Sequence, residues 1–343
     1  MPIIGNVNWK ELETRGFIHV RGYLTPHDLE ACREDYTVQP VDAKNQNNAV
    51  SIASGRATAT LERSFQELMA LVREKTDIRI DTLLGGYYFA TSRGVFPWHQ
   101  DHESFLTIQN HYDYVNLFIP VVKPRKDKSN LCVVPFDALE RVSPRVYRHT
   151  VRGGASMAYD VGDKQVIVQS QSGAARVIDV PLDRIAETPQ LEAGDLLLMR
   201  GDIFHRTEDG DTARVALSVR LGNSQTIVRR KVLADGGLAK MRTMAGNLQM
   251  YEPLFRAFDR ARRDELSWAE LEALVKSAPL DPPEPIERPA RFLVRQKLRS
   301  GVLFSSARKV VGEVVRNQAL WRYHQRKARK ATATAPHPAA GRA

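Results

Sequence analysis

The chain of 343 residues has only two cysteines, Cys32 and Cys132, far apart in sequence. So few cannot form a disulfide framework, and each is expected as a small buried hydrophobe. Long apolar runs are also missing. None approaches the roughly 20 residues of a membrane-spanning helix. The start, MPIIGNVNWKELETRGF, lacks a basic stretch followed by an apolar one, so no secretory signal is expected. These absences together lead us to expect a cytoplasmic protein. There is no regular strand–helix alternation, which argues against a parallel doubly wound sheet, and there are no internal repeats.

The body of the chain also lacks net charge. The total is +10, but residues 281–343 hold 14 Lys and Arg against 4 Asp and Glu, so the first 280 residues are neutral overall. A chain that binds nucleic acid through its main fold should carry basic clusters within it. Here the basicity belongs to a tail with Trp321, Tyr323 and RYHQRKARK. Such a tail would suit nucleic acid or an anionic surface. A solvated helix with a disordered end is the simpler account, and we favour it.

Four regions are expected. Residues 1–78 read as a helix–strand–helix flank. NWKELETRG stops at Gly16, FIHVRGYL alternates like a strand, and TPHDLEACREDY opens with Thr25 as N-cap and Pro26 at the first helical position. Residues 39–58 read as loop, and 59–76 as a helix with Leu61, Phe65, Leu68 and Leu71 near helical spacing. Residues 79–223 change to short strand-like runs: TLLGGYYFATS, HYDYVNLFIPVV, SNLCVVPF, KQVIVQSQ, ARVIDV, GDLLLMRG and ARVALSVRL. That pattern predicts a mainly β core, a sandwich or barrel, with flanking α-helices. Residues 224–278 return to helix, with Ser267 as an N-cap, and 279–343 form a Pro-rich linker and the basic tail.

Chemistry concentrates in FPWHQDHESF, residues 96–105. In an extended segment His99 and Asp101 point to one face, so an imidazole and a carboxylate reach one ion. A third donor, His205, follows the buried strand of GDLLLMRGDIFHRT. Two His and one carboxylate on one side of an ion suit non-haem Fe(II) and leave coordination positions open. His102 should face away with Gln100. His111, in a polar turn, should be exposed. Phe96, Trp98 and Phe105 would either wall the site or pack in the core. In ARVALSVRL, Val215, Leu217 and Val219 share one face, and Arg214, Ala216, Ser218 and Arg220 the other. The second face either is half-exposed, with two solvated arginines, or lines a cavity in which a guanidinium holds a carboxylate by two hydrogen bonds. Asn116, inside an apolar strand, needs a partner: a cosubstrate or substrate, or more simply a backbone group. The loop KPRKDKS, residues 123–129, is either solvated surface or a guide for an anionic substrate.

The ordered set of WHQDH, a distal His after a GD-turn strand, and TARVAL closely following resembles the phytanoyl-CoA dioxygenase family of Fe(II)/2-oxoglutarate-dependent oxygenases. RGFIHVRGYLTPHDLEACR resembles that family's opening, and the likeness covers roughly residues 8–223. It implies a double-stranded β-helix (a jelly roll, cupin-like). It also implies Fe(II) on His99, Asp101 and His205, with 2-oxoglutarate and O₂ as cosubstrates. Arg214 would hold the distal carboxylate, with Thr207 beside it and Arg220 and Asn116 as further cofactor-binding candidates. The expected reaction is oxidation, most simply hydroxylation, of a small-molecule substrate, an anionic one among the candidates. Two departures bear on that substrate. RTEDGD follows the distal His, and NLCVVPFDAL replaces the family's glycine-rich segment. The alternatives are a non-enzymatic metal-binding jelly roll, and a nucleic-acid- or protein-modifying oxygenase docking through its tail.

Overall fold

The computed structural model describes residues 4, 7–38, 49–52, 55–91, 96–151, 153, 155–161, 164–169, 174–234 and 248–277. The Pro-rich linker and basic tail lie outside them. The first half contains α1 (Lys10–Thr14), β1 (Phe17–Val20), α2 (Pro26–Val38), β2 (Ala49–Ile52), α3 (Gly55–Lys75), β3 (Thr82–Thr91), a π-turn (Glu103–Thr107), β4 (Tyr114–Val122) and β5 (Leu131–Val133). Then come α4 (Phe136–Val142), α5 (Pro144–Thr150), β6 (Ser156–Val161), β7 (Lys164–Gln169), β8 (Ala175–Ile178), a 3₁₀ turn (Leu182–Arg184), β9 (Leu196–Arg200), β10 (His205–Thr207) and β11 (Arg214–Gly222). The chain continues with β12 (Ile227–Arg229), α6 (Arg230–Ala234), α7 (Leu248–Ala261), β13 (Glu265–Ser267) and α8 (Trp268–Lys276).

Six strands form the main antiparallel sheet in the order β1-β9-β4-β11-β3-β2. The second sheet joins β5-β10 to β6-β7-β8 through His99, which bridges to both His205 and Met157. Two antiparallel sheets facing one another, with helices outside, make this a double-stranded β-helix. The period-2 expectation for β11 holds in detail. Val215, Leu217, Val219 and Leu221 join the core with Leu61, Phe65, Leu68, Met69 and Val72 of α3, while Ala216 lies in a second core with Phe118, Leu197 and Met199. A third core, with Trp98, Leu139, Val146, Ile167 and Phe204, packs α4 and α5 on the outer face of the second sheet. Each such buried aliphatic side chain contributes about 1.5–3 kcal/mol.

Several boundaries depart from the sequence reading. Residues 39–58 were expected as loop, but Ala49–Ile52 pairs with β3 and α3 already starts at Gly55. An edge strand needs only one neighbour, so its pairing is set by β3 and not by its own pattern. β6, α4 and α5 also formed without being expected. The caps behave as anticipated. Thr25 Oγ1 accepts from the Asp28 amide at 3.2 Å, and Ser267 and Glu270 form a reciprocal capping box.

Gly16 closes α1 at φ 84°, its amide bonded to Glu11 O. A Cβ here would meet the buried Phe136 ring at 2.7 Å. Gly22, at φ 57°, has open space around it. Gly16→Ala should therefore cost about 3 kcal/mol, and Gly22→Ala only about 1 kcal/mol. Equal shifts in urea midpoint would show that the Phe136 contact is relieved without cost.

Candidate metal centre

The segment before the π-turn is held from behind. Trp98 Nε1 donates to Asp183 Oδ2 at 3.1 Å, and the Arg206 guanidinium lies 5.2 Å over the Trp98 ring while bonding Asp183 Oδ1. The Gln100 side chain, fully buried, donates to the carbonyls of Thr150 and Asp202. Trp98 and Gln100 thus point away from the space between the sheets, and alternation turns His99 and Asp101 into it.

His99 and His205 exchange backbone hydrogen bonds in both directions at 3.0 Å, and their rings lie 4.3 Å apart. His99 Nδ1 donates to Pro97 O at 2.8 Å and His205 Nδ1 to Ile203 O at 3.2 Å. These bonds fix both tautomers and leave each Nε2 lone pair free for a ligand. His205 Nε2 is 3.7 Å from Asp101 Oδ1. One donor atom each from His99, Asp101 and His205 falls within 4.8 Å of the others, so the three could hold one metal ion. Burial, with help from His99, pushes the His205 imidazole down to about 4. Burial alone would raise the Asp101 carboxyl, but Arg220, His205, His99 and the Asn116 amide outweigh it and hold it below its ordinary value.

The two arginines of β11 have different surroundings. Arg220 Nη1 donates to Asn116 Oδ1 at 2.7 Å and also touches Ser218 Oγ. Its Nε lies 3.5 Å from Glu103 Oε2, and it sits over the Tyr87 ring. Asn116 Nδ2 in turn donates to Asp101 Oδ2 at 3.1 Å. Burial opposes the Arg220 charge, yet Tyr114, Asp101, Tyr87 and Glu103 more than reverse this and raise it above its ordinary value.

Arg214 is 2% exposed; among the described residues its one hydrogen bond is to the carbonyl of Ser129, at 3.0 Å, and its guanidinium lies 5.1 Å over the Phe118 ring. Its Nε has no hydrogen-bond partner, and among the described residues no carboxylate lies within ion-pair distance. Burial pulls it down to about 10, with only Asp209 opposing. Thr207 is buried, and its Oγ1 accepts from the Phe96 amide at 3.3 Å.

All seven candidate residues line one cavity of about 130 Å³. Phe89, Phe96, Phe118 and Leu131 supply its apolar wall. Of the aromatics singled out in the sequence, Phe96 is in the wall, Trp98 is in the third core, and Phe105 stacks on His111 at 4.6 Å. His102 lies outside the three-donor cluster. The expectation that His111 is exposed is corrected. It is 6% exposed, because the turn folds back on the π-turn, and its Nδ1 lies 3.0 Å from Ser104 Oγ. Glu103, Tyr87, Phe89, Phe118 and Leu131 were not singled out from sequence. The loop 123–129 is largely exposed, with Lys123 half-buried, pushed down to about 8 by burial and by Arg214.

No family model matches this sequence, and no curated protein is similar to it. Solved structures do align. One is the non-heme alpha-ketoglutarate-dependent epimerase SnoN from nogalamycin biosynthesis, at 11% identity over 63% of this chain and 81% of that one (TM-score 0.42). Another is HygX from Streptomyces hygroscopicus with nickel and 2-oxoglutarate, at 17% over 62% and 85% (TM-score 0.41). EvdO2 from Micromonospora carbonacea var. aurantiaca aligns at 13% over 65% and 94% (TM-score 0.45). Among the described residues, no helix is long and apolar enough to cross a membrane.

His102, His111 and His205 are each pushed down to about 4, burial being the largest cause. Unfolded, they take protons near 6.5. Between 6.5 and 4 the unfolded state therefore binds more protons, so stability should fall as pH drops through this window. Urea midpoints should fall less steeply for His111→Phe than for wild type. Parallel slopes would remove His111 from the account.

Proposed function

We propose that the chain is an Fe(II)/2-oxoglutarate-dependent oxygenase acting on a small molecule. The observation that carries this reading is the pairing of two features in one cavity. One is a His–Asp–His cluster with both Nε2 atoms free, and the other is the buried guanidinium of Arg214, which pairs with no carboxylate among the described residues. Leaving a buried charge unpaired is costly, and a bound anion removes that cost. The donor set fits the metal: two neutral imidazoles and one carboxylate suit Fe(II) and leave positions open for a chelating cosubstrate.

In this reading His99, Asp101 and His205 hold the iron, and Arg214 holds the distal carboxylate of 2-oxoglutarate with the Thr207 hydroxyl nearby. Iron, 2-oxoglutarate and O₂, when bound, supply an oxidant strong enough to break an unactivated C–H bond, with succinate and CO₂ as coproducts. The protein's own residues do the positioning. Arg220 holds Asn116, and Asn116 holds Asp101 Oδ2, which leaves Oδ1 turned toward His205 Nε2. We therefore assign Asn116 and Arg220 to orienting the carboxylate ligand and not to gripping the cosubstrate. Phe89, Phe96, Phe118 and Leu131 keep water from the reacting centre. Hydroxylation is the simplest outcome for such a site.

Anaerobic addition of Fe(II) and then 2-oxoglutarate should give a visible metal-to-ligand charge-transfer band. His99→Ala should abolish it, and Arg214→Ala should weaken 2-oxoglutarate binding about 100-fold. A folded, iron-loaded wild type without the band would sink the assignment and favour a metal-sensing role.

Asn116→Ala separates the two jobs open to that side chain. It should lower Fe(II) affinity about tenfold or more while 2-oxoglutarate binding to the iron-loaded form stays within about threefold. The reverse pattern would make Asn116 a cosubstrate ligand.

A further inference from the structure

The sheet that carries the two imidazoles of the cavity runs on beyond it. His205 pairs with Val133 and with His99, and His99 pairs with Met157. Met157 then pairs with Val168, and Val168 with Ala175. Directly paired residues point to the same face of a sheet, so one cross-strand row carries both imidazoles and then runs out along β6, β7 and β8. The adjacent row on that face holds Thr207 and Leu131 at the cavity end, and Tyr159, Val166 and Val177 at the outer end. The opposite face of β6–β8 is accounted for, since Ala158, Ile167 and Ile178 pack beneath α4 and α5 in the third core.

The outer portion of this face is apolar where water would favour polar groups. Among the described residues its six positions are Met157, Tyr159, Val166, Val168, Ala175 and Val177, of which Tyr159 and Val177 are exposed, Met157, Val168 and Ala175 half-buried and Val166 buried between its two exposed neighbours; the Tyr159 hydroxyl is turned to Met157 Sδ at 3.6 Å. Among the described residues only four large hydrophobics are exposed, and two of them, Tyr159 at 47% and Val177 at 39%, are here, on either side of Val166. Charge appears only at the far end, where Lys164 and Asp179 pair with each other at 2.6 Å. A partly exposed apolar face in the same cross-strand row as a candidate metal ligand suits a ligand by position as well as by composition.

We infer that this face of β6, β7 and β8 is the docking surface for the substrate, and that the substrate is an extended, largely apolar, uncharged molecule. The inference rests on the oxygenase reading for what the neighbouring metal centre does. Three inter-strand spacings separate His99 from β8, so the surface can support a ligand roughly 14 Å long. Among the described residues this face carries no charge besides the Lys164–Asp179 pair to select an anion or a cation. Arg214, which meets no carboxylate among the described residues, is reserved for the cosubstrate in that reading.

The test uses the full chain loaded with Mn(II) or Zn(II) and two fluorescent congeners: neutral N-phenyl-1-naphthylamine and anionic 8-anilinonaphthalene-1-sulfonate. The neutral probe should bind more tightly. Its proton relaxation should be faster on the Mn(II) protein than on the Zn(II) protein, which places it beside the metal. Tyr159→Lys and Val177→Lys alter exposed positions, so the fold should survive. Each should weaken the neutral probe about tenfold with Mn(II) affinity unchanged. Tighter binding of the anionic congener would overturn the uncharged assignment. Equal binding to wild type and variants, or no Mn(II) effect on relaxation, would overturn the surface. So would a doubled mass in light scattering that either variant returns to monomer, because a second copy would then own the face. Failure of the wild type to bind Mn(II) would instead sink the metal-centre reading, and the fluorescence titrations would still judge the surface.

Discussion

The two backbone hydrogen bonds between His99 and His205 hold together everything that bears on function. They stitch a segment that belongs to no regular strand into the second sheet, between β10 and β6. Without them the sheet would be two separate ribbons, and the Asp101 carboxylate would have no fixed position relative to either imidazole. The bonds also align two rows of side chains across the sheet, which is why cavity and outer surface share a floor. Trp98 and Gln100 reinforce the stitch from the other side, one through Asp183 and one through the carbonyls of Thr150 and Asp202. Ligand spacing in sequence becomes ligand geometry only because both flanking residues are anchored.

Much of this was legible in the chain. ARVALSVRL alternates with period 2, and that pattern correctly separated the residues under α3 from those facing the cavity. His99, Asp101 and His205 stood out because imidazoles and carboxylates are costly beside buried strands without a task. What stayed hidden depends on register. Arg214 and Arg220 are the same residue type on the same face of one strand, and pattern alone cannot distinguish them. The distinction comes from β4, whose register sets Asn116 opposite Arg220, and from Glu103 on the π-turn. His111 was misread for a related reason. Its local sequence is polar, but its environment is the Phe105 ring and the Ser104 hydroxyl.

The apolar surface of β6–β8 was invisible for a different reason. SMAYDV and KQVIVQ carry apolar residues on both faces, and such strands normally lie between two covering layers. Here one face is covered by α4 and α5, while the other extends from the metal cluster with Tyr159 and Val177 exposed. Only the sheet order reveals that the second apolar face begins at His99. A fold that needed stability alone would have placed polar side chains there.

Charge ties these features together. Among the described residues the cavity is lined by the Asp101 carboxylate and the guanidiniums of Arg214 and Arg220, with the Glu103 carboxylate 3.5 Å from Arg220 and the imidazole of His205 held neutral. The set is balanced as it stands. A divalent cation alone would leave an excess of two positive charges in a low-dielectric space, and a dianion alone the opposite excess; both are costly there. Bound together, Fe(II) and 2-oxoglutarate restore the balance, so in the proposed reading each favours the other. A charged substrate arriving beside them would disturb that balance, because no unpaired counter-charge remains among the groups that line the cavity. A neutral molecule disturbs nothing, and it gains its affinity from the apolar face of β6–β8. In that reading metal, cosubstrate and substrate class are three consequences of one electrostatic constraint, acting on residues that two backbone hydrogen bonds hold in place.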